Sequence, residues 1–130
     1  MKTVFYEEKD CAVYWDSENS WIYVDWRNIP SNETVKNGCE EMLKLLQQRE
    51  CSKVLNDNSH VSGSWAAASD WVAQDWFPRM VSSGLKKFAW VQSPHSALSR
   101  MNAKRAENKN TEIIHYFDGG YGEATNWLKN

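Results

Sequence analysis

The sequence lacks the features by which disulfide-rich, zinc-binding and membrane-spanning proteins are usually recognised. It has only three cysteines in 130 residues, and no two of them have a CxxC spacing. An odd number of cysteines without that spacing argues against a disulfide framework and against a zinc knuckle. No apolar run approaches the roughly 18 residues that a membrane span needs, and no signal peptide is recognisable. We therefore expect a soluble cytoplasmic protein with no integral membrane segment.

An excess of basic charge and the common catalytic motifs are missing as well. The formal net charge is −2, which gives no electrostatic reason to bind nucleic acid. The sequence contains no Gly-x-Ser-x-Gly elbow, no HxxxH or HExxH motif, and no glycine-rich phosphate loop with its lysine. From these absences we predict a protein that is not an enzyme, that needs no cofactor or metal, and that does not bind nucleic acid.

What the sequence has in excess is tryptophan. A chain of 130 residues has the size of one domain, and we expect residues 1–130 to form a single one. Apolar residues make up 42% and charged residues 25%, which is typical of a globular protein. The eight tryptophans stand out from this average. Because large aromatic side chains both fill cores and anchor interfaces, the excess indicates either role.

The first part of the chain has the pattern of strands followed by a helix. Residues 3–7 alternate weakly, and the β-forming segments 11–16 and 21–26 are separated by four polar residues, which predicts an antiparallel hairpin. Ser31 is expected to cap a helix that ends near Arg49. The apolar stripe of this helix comprises Val35, Cys39, Met42 and Leu46. Cysteines in such strand and stripe positions are expected to be buried thiols.

The middle of the chain has the pattern of a parallel β-α-β unit. Residues 53–56 are predicted to form a short buried strand, and 87–92 the strand best suited to the centre of a sheet. The helix between them is expected to begin near 62–64 and to end before Gly84. Pro78 is expected to kink this helix or to end its regular part. On its helical wheel Trp65 and Trp76 fall on the core stripe.

The last part of the chain adds two more helices and a strand. Ser93, followed by a proline, is predicted to cap a short helix, which gives way to a polar connection over 104–110. Residues 111–117 have a strand pattern, and Asp118 is expected to cap the final helix. The element order is therefore β-β-β-α-β-α-β-α-β-α. It predicts an α/β fold whose mixed sheet has a leading antiparallel hairpin, a parallel second half and about four helices.

Several segments carry a resemblance to a known family. They are 54–58, 71–76, 78–79 and 84–91, together with Phe117-Asp118, Ala124 and Trp127-Leu128 near the end. In these segments the chain resembles bacterial SpoIIAA-like proteins, also described as STAS/SEC14-domain proteins. The resemblance implies a sheet with helices, as in anti-sigma-factor antagonists and lipid-binding SEC14 domains, and it implies fold rather than role.

The antagonists of that family carry a phosphorylatable serine at the start of the helix that follows the first parallel strand. The corresponding region here is 59–64, which keeps Ser62 and Gly63 but lacks the preceding acid and the paired serine. By resemblance, Ser62 is therefore the candidate phosphorylation site.

The carboxyl ends of the predicted parallel strands meet at one rim of the sheet, where open α/β sheets bind ligands. The candidate ligand-binding residues at this rim are Asp57, Asn58, Ser59, His60, Ser93 and His95. Helix N-termini that converge there could hold an anion. The alternative interpretation is that the serines and Asp118 only cap helices.

Two chemical alternatives use the same rim. A small hydrolase would need Ser59 as nucleophile, His60 or His95 as base and Asp57 to orient the base. A metal site would combine Asp57, His60 and His95. Both depend on geometry that residue types alone do not specify.

Trp71 lies off the core stripe, about 120° from Trp65 on the helical wheel. It is expected either to pack under the turn at Pro78 or to anchor a homodimer or a protein partner. Taken together, the features favour a non-enzymatic binding or regulatory module of SpoIIAA-like type with a protein partner or a small apolar or anionic ligand. The alternatives are a phosphorylation-regulated, antagonist-like partner protein and a hydrolase that uses Ser59.

Overall fold

The computed structural model describes residues 1–107, 112–118 and 120–130. Within them, six strands form one sheet in the order β1-β2-β3-β4-β5-β6. The strands are β1 (Lys2–Glu8), β2 (Cys11–Asp16), β3 (Trp21–Asn28), β4 (Lys53–Val61), β5 (Lys87–Val91) and β6 (Ile114–Phe117). The first three strands pair antiparallel, and β3 to β6 pair parallel. The predicted α/β fold with a leading hairpin and a parallel half is confirmed.

The helices connect and cover this sheet. They are α1 (Asn32–Arg49), α2 (Ala66–Trp71), a π-helical turn (Val72–Trp76), α3 (Phe77–Ser82), α4 (Ala97–Glu107) and α5 (Tyr121–Lys129). The segments from α2 to α3 follow one another without a break, so the described helices number four when these are counted as one, as predicted. Thr111, the first residue of the predicted last strand, lies outside the described residues.

The two faces of the sheet are covered by different helices. On one face the ring of Phe88 in β5 contacts Trp76 and Phe77 of the helical segment between β4 and β5. On the other face the ring of His115 in β6 contacts Trp127 of α5 at 4.7 Å between centroids. Since the parallel strands follow one another in chain order, right-handed crossovers place their connecting helices on one face. We call this the crossover face, and the other the α5 face.

The core between the crossover helices and the sheet is strongly aromatic. Trp65 and Trp76 are buried there, as their positions on the helical wheel predicted. The indole Nε1 of Trp76 donates to the carbonyl oxygen of Cys39 in α1 at 2.7 Å. Burying such large side chains removes much apolar surface from water, which is the main source of stability in a domain of this size.

A π-helical turn precedes Pro78 and explains how a proline fits inside the helix. The backbone N–H of Phe77 donates to the carbonyl of Val72, five residues earlier. In a regular α-helix the proline ring would clash with the carbonyl four residues before it. The wider π turn relieves this crowding locally. The irregularity that the sequence predicts at Pro78 therefore takes the form of this turn.

The strand β4 is longer than predicted. The sequence predicts a strand over 53–56, whereas β4 runs from Lys53 to Val61. The polar residues 57–60 therefore lie within the strand and not beyond its end. The reason is tertiary: β3 extends to Asn28 and offers a hydrogen-bonding edge to which residues up to Val61 pair.

A β-bulge occurs in this extension. Asp25 pairs with Asp57 and Arg27 pairs with His60, so a single residue of β3 faces two residues of β4. A bulge of this kind re-aims the side chains that follow it. Without it, Asp57 and His60 would point to opposite faces of the sheet because strand side chains alternate.

Helix starts are the least accurate part of the sequence interpretation. The cap at Ser31 is confirmed, because its Oγ accepts the backbone N–H of Thr34 at 3.1 Å. The cap predicted at Ser93 is wrong. The helix α4 begins at Ala97, and Ser96 accepts the backbone N–H of Ser99 at 3.0 Å.

The end of the chain shows the same kind of error. The residue that precedes α5 is Gly120, with a φ of 105°, and no side chain caps this helix, so the predicted cap at Asp118 is wrong. The predicted polar connection 104–110 is helical as far as Glu107, and 108–110 lie outside the described residues. The last strand begins at Ile114, and residues 112 and 113 before it form a turn.

Candidate functional site

An apolar cavity lies on the crossover face, near the carboxyl ends of β3 and β4. Four tryptophans line it: Trp26, Trp65, Trp76 and Trp90. Among the described residues that line the cavity, none is charged and only Asn56 and Asn58 carry an amide. The cavity volume, taken as the space that the centre of a water molecule can occupy, is about 30 Å³. We call this space the tryptophan cavity.

A chain of hydrogen bonds holds the two asparagines of the cavity. The indole Nε1 of Trp26 donates to Oδ1 of Asn56 at 2.8 Å, and Nδ2 of Asn56 donates to Oδ1 of Asn58 at 3.3 Å. Because both amide oxygens accept, the amide orientation of each asparagine is set by its neighbour. Of the sequence-predicted ligand-binding residues, Asn58 alone lines this cavity.

A separate polar cluster lies on the α5 face. The hydroxyl of Tyr23 donates to Oδ2 of Asp57 at 2.7 Å, and the backbone N–H of Ser59 donates to Oδ1 at 2.9 Å. Asp57 is only 3% exposed. Burial, and then the hydrogen bond to Asp57 and its charge, raise the pKa of Tyr23 far above its usual value.

Asp25 and His60 complete this cluster. Oδ1 of Asp25 lies 3.2 Å from Nδ1 of His60, and Oδ2 accepts from Nε of Arg27 at 2.9 Å. Ligand atoms of Asp25, Asp57 and His60 lie within 4.8 Å of one another, which is the one group in the described ranges with the spacing of a metal site. Both oxygens of each carboxylate already have partners within the protein, which an ion would have to displace.

The sequence-predicted metal set differs from this group. It paired Asp57 and His60 with His95, but His95 is an exposed residue of the loop before α4 and does not belong to the cluster. The third member of the observed group is Asp25 in place of His95, because the register of β3 and β4 places Asp25 opposite Asp57.

The groups of the hydrolase alternative do not form a hydrogen-bonded chain. In the part of the chain that the structure describes, Ser59 is hydrogen-bonded through its backbone N–H to Asp57, and no hydrogen bond joins its hydroxyl to His60 or His95. His60 is paired with Asp25. Nucleophilic catalysis needs the nucleophile within hydrogen-bond reach of its base, and this arrangement does not provide it.

The remaining rim residue, Ser93, lies beside a polar cleft. Its hydroxyl donates to the carbonyl of Val61, and its own carbonyl accepts from Nη1 of Arg100 at 2.8 Å. The cleft is bordered by Arg100 and Asp118, so one cation faces one carboxylate. With opposite charges on its walls, the cleft does not favour an anionic ligand.

Ser62 and Trp71 lie outside both sites. Ser62 is exposed, but α2 begins at Ala66, so Ser62 is not at a helix start as the resemblance implied. Trp71 is half-buried, with the ammonium of Lys36 at 5.6 Å and the guanidinium of Arg79 at 5.9 Å from its ring centroid. Phosphorylation of Ser62 and a partner interface at Trp71 both stay predictions.

Sequence reasoning missed the residues that make each site chemically specific. In the cavity these are Trp26, Asn56 and Trp90, and in the α5-face cluster Tyr23 and Asp25. A signal for the second pair was present: Tyr23 and Asp25 are two residues apart in a predicted strand, so their side chains lie on the same face of it. Pairing that strand with the next one would have placed Asp25 near Asp57.

Comparison of the chain with models of protein families, with curated proteins and with solved structures found no significant match. The resemblance to SpoIIAA-like proteins therefore stays a prediction. None of the described helices is long and apolar enough to cross a membrane.

Proposed function

We propose that this protein is a non-enzymatic binding module whose ligand is a small apolar molecule held in the tryptophan cavity. The observation that carries the proposal is the cavity itself: four tryptophans surround a space whose described lining contains two amides and no charge. Ligand sites are typically apolar pockets with a few polar groups that fix orientation. The location supports the proposal as well, because it lies near the carboxyl ends of parallel strands.

The size of the cavity limits what enters it without movement. A space of about 30 Å³ for water centres holds one or two water molecules. A larger ligand requires a lining side chain to move aside. At Trp65 such a movement would break the hydrogen bonds from its backbone N–H to Oδ1 of Asn102 and from its Nε1 to Oγ of Ser99.

The first test looks for a natural ligand. Protein purified from its own host is measured by native mass spectrometry and again after denaturation. We expect an added mass that is lost on denaturation. A covalent gain of one phosphate would instead favour the antagonist-like alternative, with Ser62 as the site.

The second test uses cyclopentane as a probe of the cavity. We expect it to shift the methyl NMR signals of Val61 and Val72, both of which line the cavity, with a dissociation constant on the order of 1 mM. Val72→Leu adds a methylene toward the cavity and is expected to weaken binding at least threefold.

The matched control is Val13→Leu, at another fully buried valine that is not among the cavity-lining residues. Both variants overpack the core by one methylene, at a cost of about 1–3 kcal/mol. Equal weakening in both variants, or no methyl shift with cyclopentane, would contradict the proposal.

A further inference from the structure

One residue that lines the tryptophan cavity, Trp90, carries a buried hydrogen-bond donor that has no acceptor. Trp90 is 3% exposed, and its indole Nε1 has no hydrogen-bond partner among the described residues. Its ring is stacked against that of Trp65 and against that of Tyr116, with centroids 5.9 Å apart in each pair. This stacking holds the ring in place, so rotating away to find an acceptor would disrupt two aromatic contacts.

A second donor borders the same cavity. The oxygen of the Asn58 amide is occupied by Asn56, which leaves Nδ2 as its free end. In the described residues Nδ2 of Asn58 makes no hydrogen bond, but unlike Nε1 of Trp90 it is not fully enclosed, so solvent reaches it. The polar part of the cavity therefore offers hydrogen-bond donors, while the amide oxygens are already used.

Leaving a buried donor without an acceptor costs about 1–3 kcal/mol, so such groups are rare in folded proteins. An acceptor atom on a bound molecule would remove this cost. No described residue that lines the cavity carries a charge, so a carboxylate or phosphate would be buried there without a counter-ion. The acceptor that fits is a neutral one.

We infer that the ligand of the cavity is a small neutral molecule with a carbonyl or similar acceptor oxygen, which receives the indole N–H of Trp90. The inference rests on the proposed function and adds the chemical class of the ligand. The apolar part of the molecule contacts the tryptophan rings, and its oxygen lies toward Trp90 and Asn58.

The test compares cyclopentanone with cyclopentane, which has the same ring and no acceptor. In ¹H–¹⁵N spectra each indole N–H gives its own signal, and the Trp90 signal is assigned with the Trp90→Phe variant. We expect cyclopentanone to move the Trp90 signal downfield and cyclopentane to leave its proton shift nearly unchanged, because a new hydrogen bond deshields the donated proton.

Variants measure the contribution of the hydrogen bond. Trp90→Phe keeps an aromatic ring without the donor, and it is expected to weaken cyclopentanone binding about threefold to tenfold relative to cyclopentane. The matched control is Trp21→Phe. Trp21 is 2% exposed and its Nε1 also lacks a partner, but it is not among the cavity-lining residues. It is expected to leave the ratio of the two affinities unchanged.

The outcomes separate the inference from the function on which it rests. If both probes bind with the same effect on the Trp90 signal, and Trp90→Phe does not change their ratio, the cavity is a binding site and the inference is wrong. If neither probe binds, the proposed function itself is wrong. Should Trp90→Phe fail to fold, the downfield shift in the unaltered protein still decides.

Discussion

The hydroxyl of Tyr23 and the carboxylate of Asp57 form a 2.7 Å hydrogen bond between the neighbouring parallel strands β3 and β4. Asp57 is buried, and its hydrogen-bond donors are the neutral Tyr23 hydroxyl and the backbone N–H of Ser59. A buried carboxylate is tolerated only when such donors replace the water it has lost. This pair is therefore expected to hold the two strands in register.

Removing Asp57 tests whether it is structural. We expect Asp57→Ala to lower the free energy of unfolding by about 3 kcal/mol, because it leaves two buried donors without an acceptor. Tyr23→Phe removes one hydrogen bond to a charged group and is expected to cost about 2 kcal/mol. Urea denaturation measures both. In the double variant the total loss of unfolding free energy should be smaller than the sum of the two single losses, since the residues are in contact. A stable Asp57→Ala variant that has lost ligand binding would assign Asp57 to a binding site instead.

Stability is expected to fall at alkaline pH through Tyr23. The pKa of Tyr23 is raised in the folded protein, by burial first and then by Asp57. The contribution of Tyr23 to the free energy of unfolding is complete below the unfolded-state pKa of about 10. It is lost as the pH rises above that value, because the unfolded chain releases the hydroxyl proton of Tyr23 more readily than the folded protein does. We expect the free energy of unfolding of the Tyr23→Phe variant to fall less steeply between about pH 10 and pH 11 than that of the unaltered protein. The other tyrosines are common to both proteins, so the difference between the two curves isolates Tyr23. Parallel curves would contradict the prediction.

Gly38 is expected to resist substitution although it lies in a helix. A Cβ there would lie 2.7 Å from Sγ of Cys11 and 2.7 Å from Cη2 of Trp26. Alanine is favoured over glycine in helices by about 1 kcal/mol, but overpacking a core costs about 1–3 kcal/mol. We expect Gly38→Ala to lower the midpoint of thermal unfolding. Gly122→Ala in α5, where a Cβ meets nothing within 4 Å, serves as the control and should raise it slightly. A stabilised Gly38→Ala variant would show that Trp26 can move, and with it the wall of the cavity.

The thiols are expected to be unreactive in the folded protein. Cys11, Cys39 and Cys51 are all buried and free. Burial raises the pKa of each thiol, so the thiolate that reacts with disulfide reagents is scarce at neutral pH. With a chromogenic disulfide we expect no rapid reaction in buffer and reaction of all three cysteines in denaturant. Rapid reaction of any one thiol in buffer would show that its part of the core opens.

Local patterns predicted an element well where residues close in sequence specify both its type and the positions of its ends. The hairpin of β2 and β3 has the predicted bounds at Cys11, Asp16 and Trp21, because alternating β-formers flank a short polar turn. The helix α1 begins after the predicted cap, Ser31. In both cases the deciding interactions join residues close in sequence.

The errors occurred where the deciding partner is remote. The end of β4 depends on how far β3 extends beside it. Before α4 the hydroxyl of Ser93 donates to Val61, 32 residues away, and accepts the backbone N–H of His95, while Ser96 caps the helix. Sequence patterns do not report such partners.

Propensity and periodicity along the chain specify the order and type of the elements and the aromatic character of the core. Which side chains meet depends on the tertiary structure. The bulge in β4 brings His60 to the face of Asp57, and the packing of helices on the crossover face leaves a cavity beside Trp90. Both result from how separate segments fit together, since a bulge needs a neighbouring strand and a cavity needs walls from several elements.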